Sequence, residues 1–183
     1  LKRAGRTDEA RDSLERAWGI YDVKLPAIHE DVRNIAGELG LIYQAQGRSE
    51  DVVRMYTGLI ERAGREGYGA HIGTAHHHNN LAFVLRGVQK IDESRDHWRK
   101  AMAIYAALPP PVSDSYQIAA EALLGSYLQA ADYDGALKLA EEALAKIAPP
   151  GQPNPGAMAK VSQLLADIAN AAGRYPESRA WAS

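Results

Sequence analysis

Apolar positions recur at intervals of three and four along most of the chain, which is the period of a helix with one buried face. Short polar or proline-containing stretches interrupt the pattern. The spacing predicts helices over 7–24, 30–46, 49–66, 70–87, 91–107, 113–130, 133–147 and 157–172, with a partial one from 175. Leu1 to Gly5 reads as the tail of an earlier helix that ends at a turn. The joints fall at Leu25-Pro26, at 64–69, at 109–111 and at 149–155, where proline stops a helix and stiffens the connection.

A longer period lies over the helical one. The segments GRTDEA (5–10), GRSEDV (47–52), QKIDES (89–94), ADYDGA (131–136) and GRYPES (173–178) each begin 42 residues after the one before. Leu39, Leu81, Leu123 and Leu165 hold one column of that register, followed by Gly40, Ala82, Leu124 and Ala166. Leu1, Tyr43, Leu85, Tyr127 and Ala169 hold another, and Leu14, Tyr56, Trp98 and Ala140 a third. Small residues at Ala10, Gly40, Ala82 and Ala136 are expected to let helix backbones approach closely. Tyr43, Trp98 and Tyr127 are expected to fill the space between layers. The first residue of each turn segment sits where a helix end takes a left-handed conformation. Acidic residues follow (Asp8, Glu9, Glu50, Asp51, Asp92, Glu93, Asp134), at the positive end of the next helix dipole. Each unit is therefore helix, tight turn, helix.

These columns resemble the tetratricopeptide repeat, in the 42-residue form found in kinesin light chains and many bacterial proteins. The segment HNNLAFVL (78–85) is similar to the NNLAxxY stretch of that form, and 36–43 and 120–127 are looser copies. HEAT and armadillo repeats, of similar length, are the alternative helical arrays. The resemblance implies an all-α fold, a right-handed superhelical solenoid of antiparallel helix pairs. The whole chain, 1–183, is expected to form a single array of about four repeats with partial helices at both ends, as a piece of a longer protein. In such arrays each repeat buries its apolar faces only against its neighbours.

The resemblance further implies a groove lined by the first helix of each pair, where a peptide or protein segment binds. Its positions map onto Asn34, Glu38, Leu41 and Gln44; then His76, Asn79, Asn80, Phe83 and Arg86; then Ile118, Glu121, Gly125 and Gln129; and finally Lys160, Gln163, Asp167 and Asn170. Amide side chains both donate and accept, so they suit an extended peptide backbone. Phe83 with Arg86 offers an apolar or cation–π contact. Asn80 stands where the resembled form commonly carries a peptide-contacting Asn, and Glu38, Ala122 and Leu164 replace it in the other repeats. Glu38, Glu121 and Asp167 among the groove positions argue against capture of a terminal carboxylate.

Composition narrows the remaining classes. Formal net charge is −2, so no basic surface dominates and nucleic acid is not an expected partner. No apolar run reaches the roughly 18 residues of a membrane span, so insertion is not expected. Cysteine is absent, which removes disulfides, thiolate metal sites and thiol nucleophiles. Four histidines lie between 71 and 78. On one helix His76, His77 and His78 point about 100° apart and cannot converge on one ion, so neither a metal nor a cofactor is expected. By column, His78 faces the pair interior, His76 the groove and His77 the flank; a groove that responds to pH is the residual reading. No phosphate loop, nucleophile elbow or H-E-x-x-H motif suggests an enzyme. Trp18 and Trp98 fall in packing columns. The expected role is a protein-interaction module; the alternatives are the sensory part of a larger peptide-responsive regulator, and self-association through uncovered ends near Leu1, Leu14 and Trp181.

Overall fold

A computed structural model describes residues 2–109, 114–147 and 155–173, with side chains described outside 2–7, 155 and 157–162. Among these residues all regular structure is helical: α1 Lys2–Lys24, α2 Glu30–Ala45, α3 Ser49–Arg65, α4 Ile72–Gly87, α5 Ile91–Ala106, α6 Asp114–Gln129, α7 Tyr133–Ile147 and α8 Pro155–Ala171. Seven of the eight follow the boundaries expected from periodicity to within about two residues. The exception is α1, which runs unbroken through Gly5 where a turn was expected. One glycine costs a helix only about 1 kcal/mol, and the Lys, Arg and Ala around Gly5 are good helix formers. Leu1, Pro110-Pro111, the proline-rich joint over 149–154 and the helix expected from 175, with Trp181, lie outside the described residues.

The tight turns explain the 42-residue register. Gly47 (φ 74°), Gln89 (φ 64°), Ala131 (φ 54°) and Gly173 (φ 74°) all adopt the left-handed conformation. One hydrogen bond recurs around them: the amides of Arg48, Lys90 and Asp132 donate to the carbonyls of Tyr43, Leu85 and Tyr127 at 2.8, 2.9 and 3.0 Å. This six-residue closure satisfies a carbonyl that a helix end would leave bare. Two further caps share the register. His29 and His71 precede α2 and α4, and each ring Nδ1 accepts the amide two residues on, at 3.2 and 3.0 Å.

The chain forms two compact units, Leu1–Ile104 and Tyr105–Ser183. In the first, α1 packs on α2, α2 on α3 and α3 on α4, around a core that includes Val32, Ala36, Val52, Tyr56, Leu59, Leu81 and Leu85. Gly40 earns its place there, because a Cβ would sit 3.4 Å from Val52 and 3.6 Å from the Tyr56 hydroxyl. The α4–α5 pair closes over Trp98, which is fully buried, and Ser94 donates to the Ala82 carbonyl at 2.8 Å. In the second unit α7 packs on both α6 and α8, burying Leu123, Tyr127, Ala136, Ala140, Leu165 and Ile168. One packing expectation is not met: Ala10 is exposed and Leu14 and Trp18 are only half-buried. Trp18 packs against the edge of the first unit's core without being enclosed by it.

Candidate functional site: a groove between α2 and α4

The first helices α2 and α4 lie side by side, with α3 behind them. Between them a cavity of about 650 Å³ opens. Asn34, Glu38, Leu41 and Gln44 line it from α2, Asn80 and Phe83 from α4. Six of the expected groove residues therefore share one cavity. His76, Asn79 and Arg86 do not line it.

The two walls are held differently. On α2, Asn34, Glu38 and Gln44 are exposed, and Leu41 is 71% exposed although fully apolar. Gln44 reaches back to the Gly40 carbonyl at 3.3 Å. On α4, Asn80 is half-buried and its amide nitrogen donates to the Tyr56 hydroxyl at 3.2 Å. That bond fixes the amide plane and leaves its carbonyl oxygen and second N–H without a bond to Tyr56. Burial raises the Tyr56 hydroxyl above its usual range, so it stays protonated. Phe83 is half-buried, edge-on to Trp98 with ring centroids 5.3 Å apart. The Arg86 guanidinium lies 5.5 Å from the centroids of both rings. The cation–π contact expected for a ligand is thus already made within the chain.

Sequence reasoning missed Arg33, Gly37, Gly40, Tyr56 and Val84, which complete the lining. Arg33 and Gly37 were legible: they precede Leu41 at helical intervals of four. Arg33 keeps a buried Nε without a hydrogen-bond partner. Its charge offsets that of Glu38, so the lining is electrically balanced and suits a ligand held by amide contacts and apolar area. Asn79 is half-buried, with a buried, unpartnered carbonyl oxygen.

The histidines divide in a way the columns did not predict. His76 is half-buried, and burial with nearby Arg33 and His71 lowers its pKa. His78 faces the pair interior as expected. His77 does not lie on an open flank: it is 1% exposed, and its Nε2–H donates to the Ala27 carbonyl at 2.9 Å. A helix flank in a stacked array meets the preceding joint, so it is interior. Glu66 accepts the Ala27 amide at 2.9 Å, and Arg62 binds Asp22 at 2.5 Å and the Leu25 carbonyl at 3.4 Å. Burial pushes the His77 pKa down to about 4.

In the second unit, Glu121 and Gln129 on α6, and Gln163, Asp167 and Asn170 on α8, are all exposed. Gln163 donates to Asp167 at 2.9 Å. Ile118 is 50% exposed and Gly125 half-buried. The Lys160 side chain lies outside the described residues. No described helix is long and apolar enough to cross a membrane.

Helix pairs repeated at 42 residues, closed by left-handed turns and stacked so that first helices share a groove, define a helical-repeat scaffold of the α-solenoid class. Residues 71–146 match the tetratricopeptide repeat family. The same register and turn geometry continue on both sides of that segment, at Gly47 and Gly173. Its fold is similar to BtubC (BKLC) from P. vanneervenii, with 21% identity and a TM-score of 0.73 over 98% of this chain and 72% of that one. It is similar also to a putative kinesin light chain of Podosopora anserina with nearly identical TPR-like repeats, with 20% identity and a TM-score of 0.73 over 98% and 85%. A substituted form of the latter gives 19% and 0.72 over 98% and 84%. At these identities the likeness establishes the fold. No curated protein matches the chain. Tetratricopeptide repeat folds generally mediate protein–protein interaction, and such scaffolds are generally non-enzymatic.

Proposed function

We propose that this chain is a protein-interaction module that holds a peptide or protein segment in the groove between α2 and α4. The observation that carries the reading is the convergence of Asn34, Glu38, Leu41, Gln44, Asn80 and Phe83 on one cavity of about 650 Å³. Leu41 supplies uncovered apolar area, and the oriented Asn80 carbonyl supplies an acceptor for a ligand N–H. A binding surface needs such a mixture of an apolar anchor and a few fixed polar groups.

The test is a peptide-display selection on the purified chain, followed by anisotropy titration of the enriched peptides. Leu41→Arg and Asn80→Ala should each weaken binding at least tenfold while leaving the helical spectrum unchanged. Enriched peptides that bind both variants as tightly as the parent would place the ligand elsewhere and reject the groove.

A further inference from the structure

Two glycines line the α2–α4 cavity, Gly37 and Gly40, and the packing of the chain requires only one of them. At Gly40 a Cβ would press on Val52 at 3.4 Å and on the Tyr56 hydroxyl at 3.6 Å, so the close approach of α2 and α3 accounts for it. At Gly37 a Cβ would meet nothing within 4 Å. Gly37 lies in the middle of α2, away from every left-handed turn, where glycine is a poor helix former. Neither packing nor backbone conformation calls for the missing side chain. Gly19, Gly58, Gly64 and Gly125 are equally unopposed, but none of them borders this cavity.

The repeat register sharpens the point. The counterparts of Gly37 are Asn79 on α4, Glu121 on α6 and Gln163 on α8. The fold carries a polar side chain at this position in every other repeat and leaves it bare on α2 alone. A local departure from a repeated rule points to function rather than to stability. The surroundings of the bare position are also suited to hold something. Arg33 and Leu41 stand one helical turn before and after it on the same face, and Phe83 and Val84 add apolar surface from α4. Arg33 and Glu38 carry opposite charges, so neither sign of ligand charge is favoured there.

Building on the groove assignment above, we propose that Gly37 is the specificity-determining notch of that groove. It admits one large apolar side chain of the bound segment down to the α2 backbone, between Arg33 and Leu41 and opposite Phe83 and Val84. Glycine permits such a close approach, and any side chain at 37 would fill the space. The partner is therefore a protein segment that presents a large aliphatic or aromatic residue. The peptide groups flanking that residue meet the amides of Asn34, Gln44 and Asn80 along the lining.

The test is a display selection of random linear peptides on the purified full chain, followed by anisotropy titration with a fluorescein-labelled enriched peptide. Enriched sequences should share a large apolar residue at one position, and alanine there should weaken binding at least about tenfold. Gly37→Gln installs the residue of α8, so it should fold with an unchanged helical spectrum and a Tm about 2 °C higher. It should nevertheless weaken the enriched peptide at least about tenfold. It should bind the alanine form of that peptide as well as the original, within about twofold, because the anchor has lost its seat. Gly37→Asn, which installs the residue of α4, is the second variant should Gly37→Gln misfold. Peptides that lose affinity for Leu41→Arg yet bind the Gly37 variants undiminished overturn the notch and leave the groove standing. A loss on Gly37→Gln that leaves the alanine penalty intact does the same. Peptides indifferent to both Leu41→Arg and Asn80→Ala, or a selection that enriches none, overturn the groove and the notch together.

Discussion

The helices α2 and α4 occupy the same place in successive repeats and form opposite walls of one groove, yet their side chains are held in different ways. Leu41 and Phe83 are equivalent by the 42-residue register, as are Glu38 and Asn80. Leu41 stands in solvent, while Phe83 rests on Trp98 beneath Arg86. Glu38 is exposed, while Asn80 is tied to Tyr56. The difference comes from the layer behind, where α4 takes support from the helices on both sides of it in sequence. Tyr56 on α3 bonds across to α4, and Trp98 on α5 supports Phe83. One wall is therefore preorganised and the other is left to adjust.

The largest test of this contrast is removal of the brace. Trp98→Ala should destabilise the chain by about 3–5 kcal/mol in urea unfolding. Leu41→Ala, on the unbraced wall, should change stability by less than about 0.5 kcal/mol. Similar costs for the two would erase the distinction between the walls.

A second contrast is acid sensitivity. His77 on α4 replaces Ile35 of α2, and its folded pKa is about 4 against an ordinary 6.5. Above pH 6.5 both folded and unfolded rings are neutral, and the full stability is present. As pH falls from 6.5 toward 4 the unfolded chain takes up a proton that the folded chain refuses, and stability declines. Between pH 7 and 5 this one residue should account for a loss of about 2 kcal/mol. Urea melts check this: His77→Gln, which can still donate to Ala27, should show a shallower decline. An equally steep decline in the variant would assign the acid sensitivity to other groups.

The smallest effect lies in the turns. Gln89 bears a side chain where Gly47 and Gly173 have none, at φ 64°. Gln89→Gly should gain about 1 kcal/mol, since the left-handed conformation costs a non-glycine residue about 1–2 kcal/mol and glycine returns part of that as unfolded-chain entropy. Calorimetric unfolding checks the sign; a loss would show that the Gln89 side chain makes compensating contacts.

Helices, turns and register were legible because each depends on residues close in sequence. Periodicity located the apolar faces, and Gly47 and Gly173 betrayed the left-handed corner that Gln89 and Ala131 also adopt. Most of the α2 wall was legible for the same reason. What escaped depends on which surface arrives from elsewhere in the chain. His77 was assigned to a flank because nothing in α4 shows that Ala27 packs there. Arg86 was taken for a ligand contact because its sequence neighbours do not reveal Trp98. His78 was weighed only against histidines on its own helix, whereas its partner His97, with the two Nδ1 atoms 2.7 Å apart, lies on the next one. The capping role of His29 and His71 was missed although they stand 42 residues apart; searching the register for polar as well as apolar columns would have found it.

The central claim is that a ligand enters between the braced and unbraced walls. Side-chain amide NMR with a peptide enriched by selection tests it most directly. The account predicts that the signals of Asn34, Gln44 and Asn80 shift together on titration, while those of Gln163 and Asn170 stay in place. Shifts confined to the amides of α6 and α8, or a bound peptide that leaves the three groove amides unmoved, would contradict it.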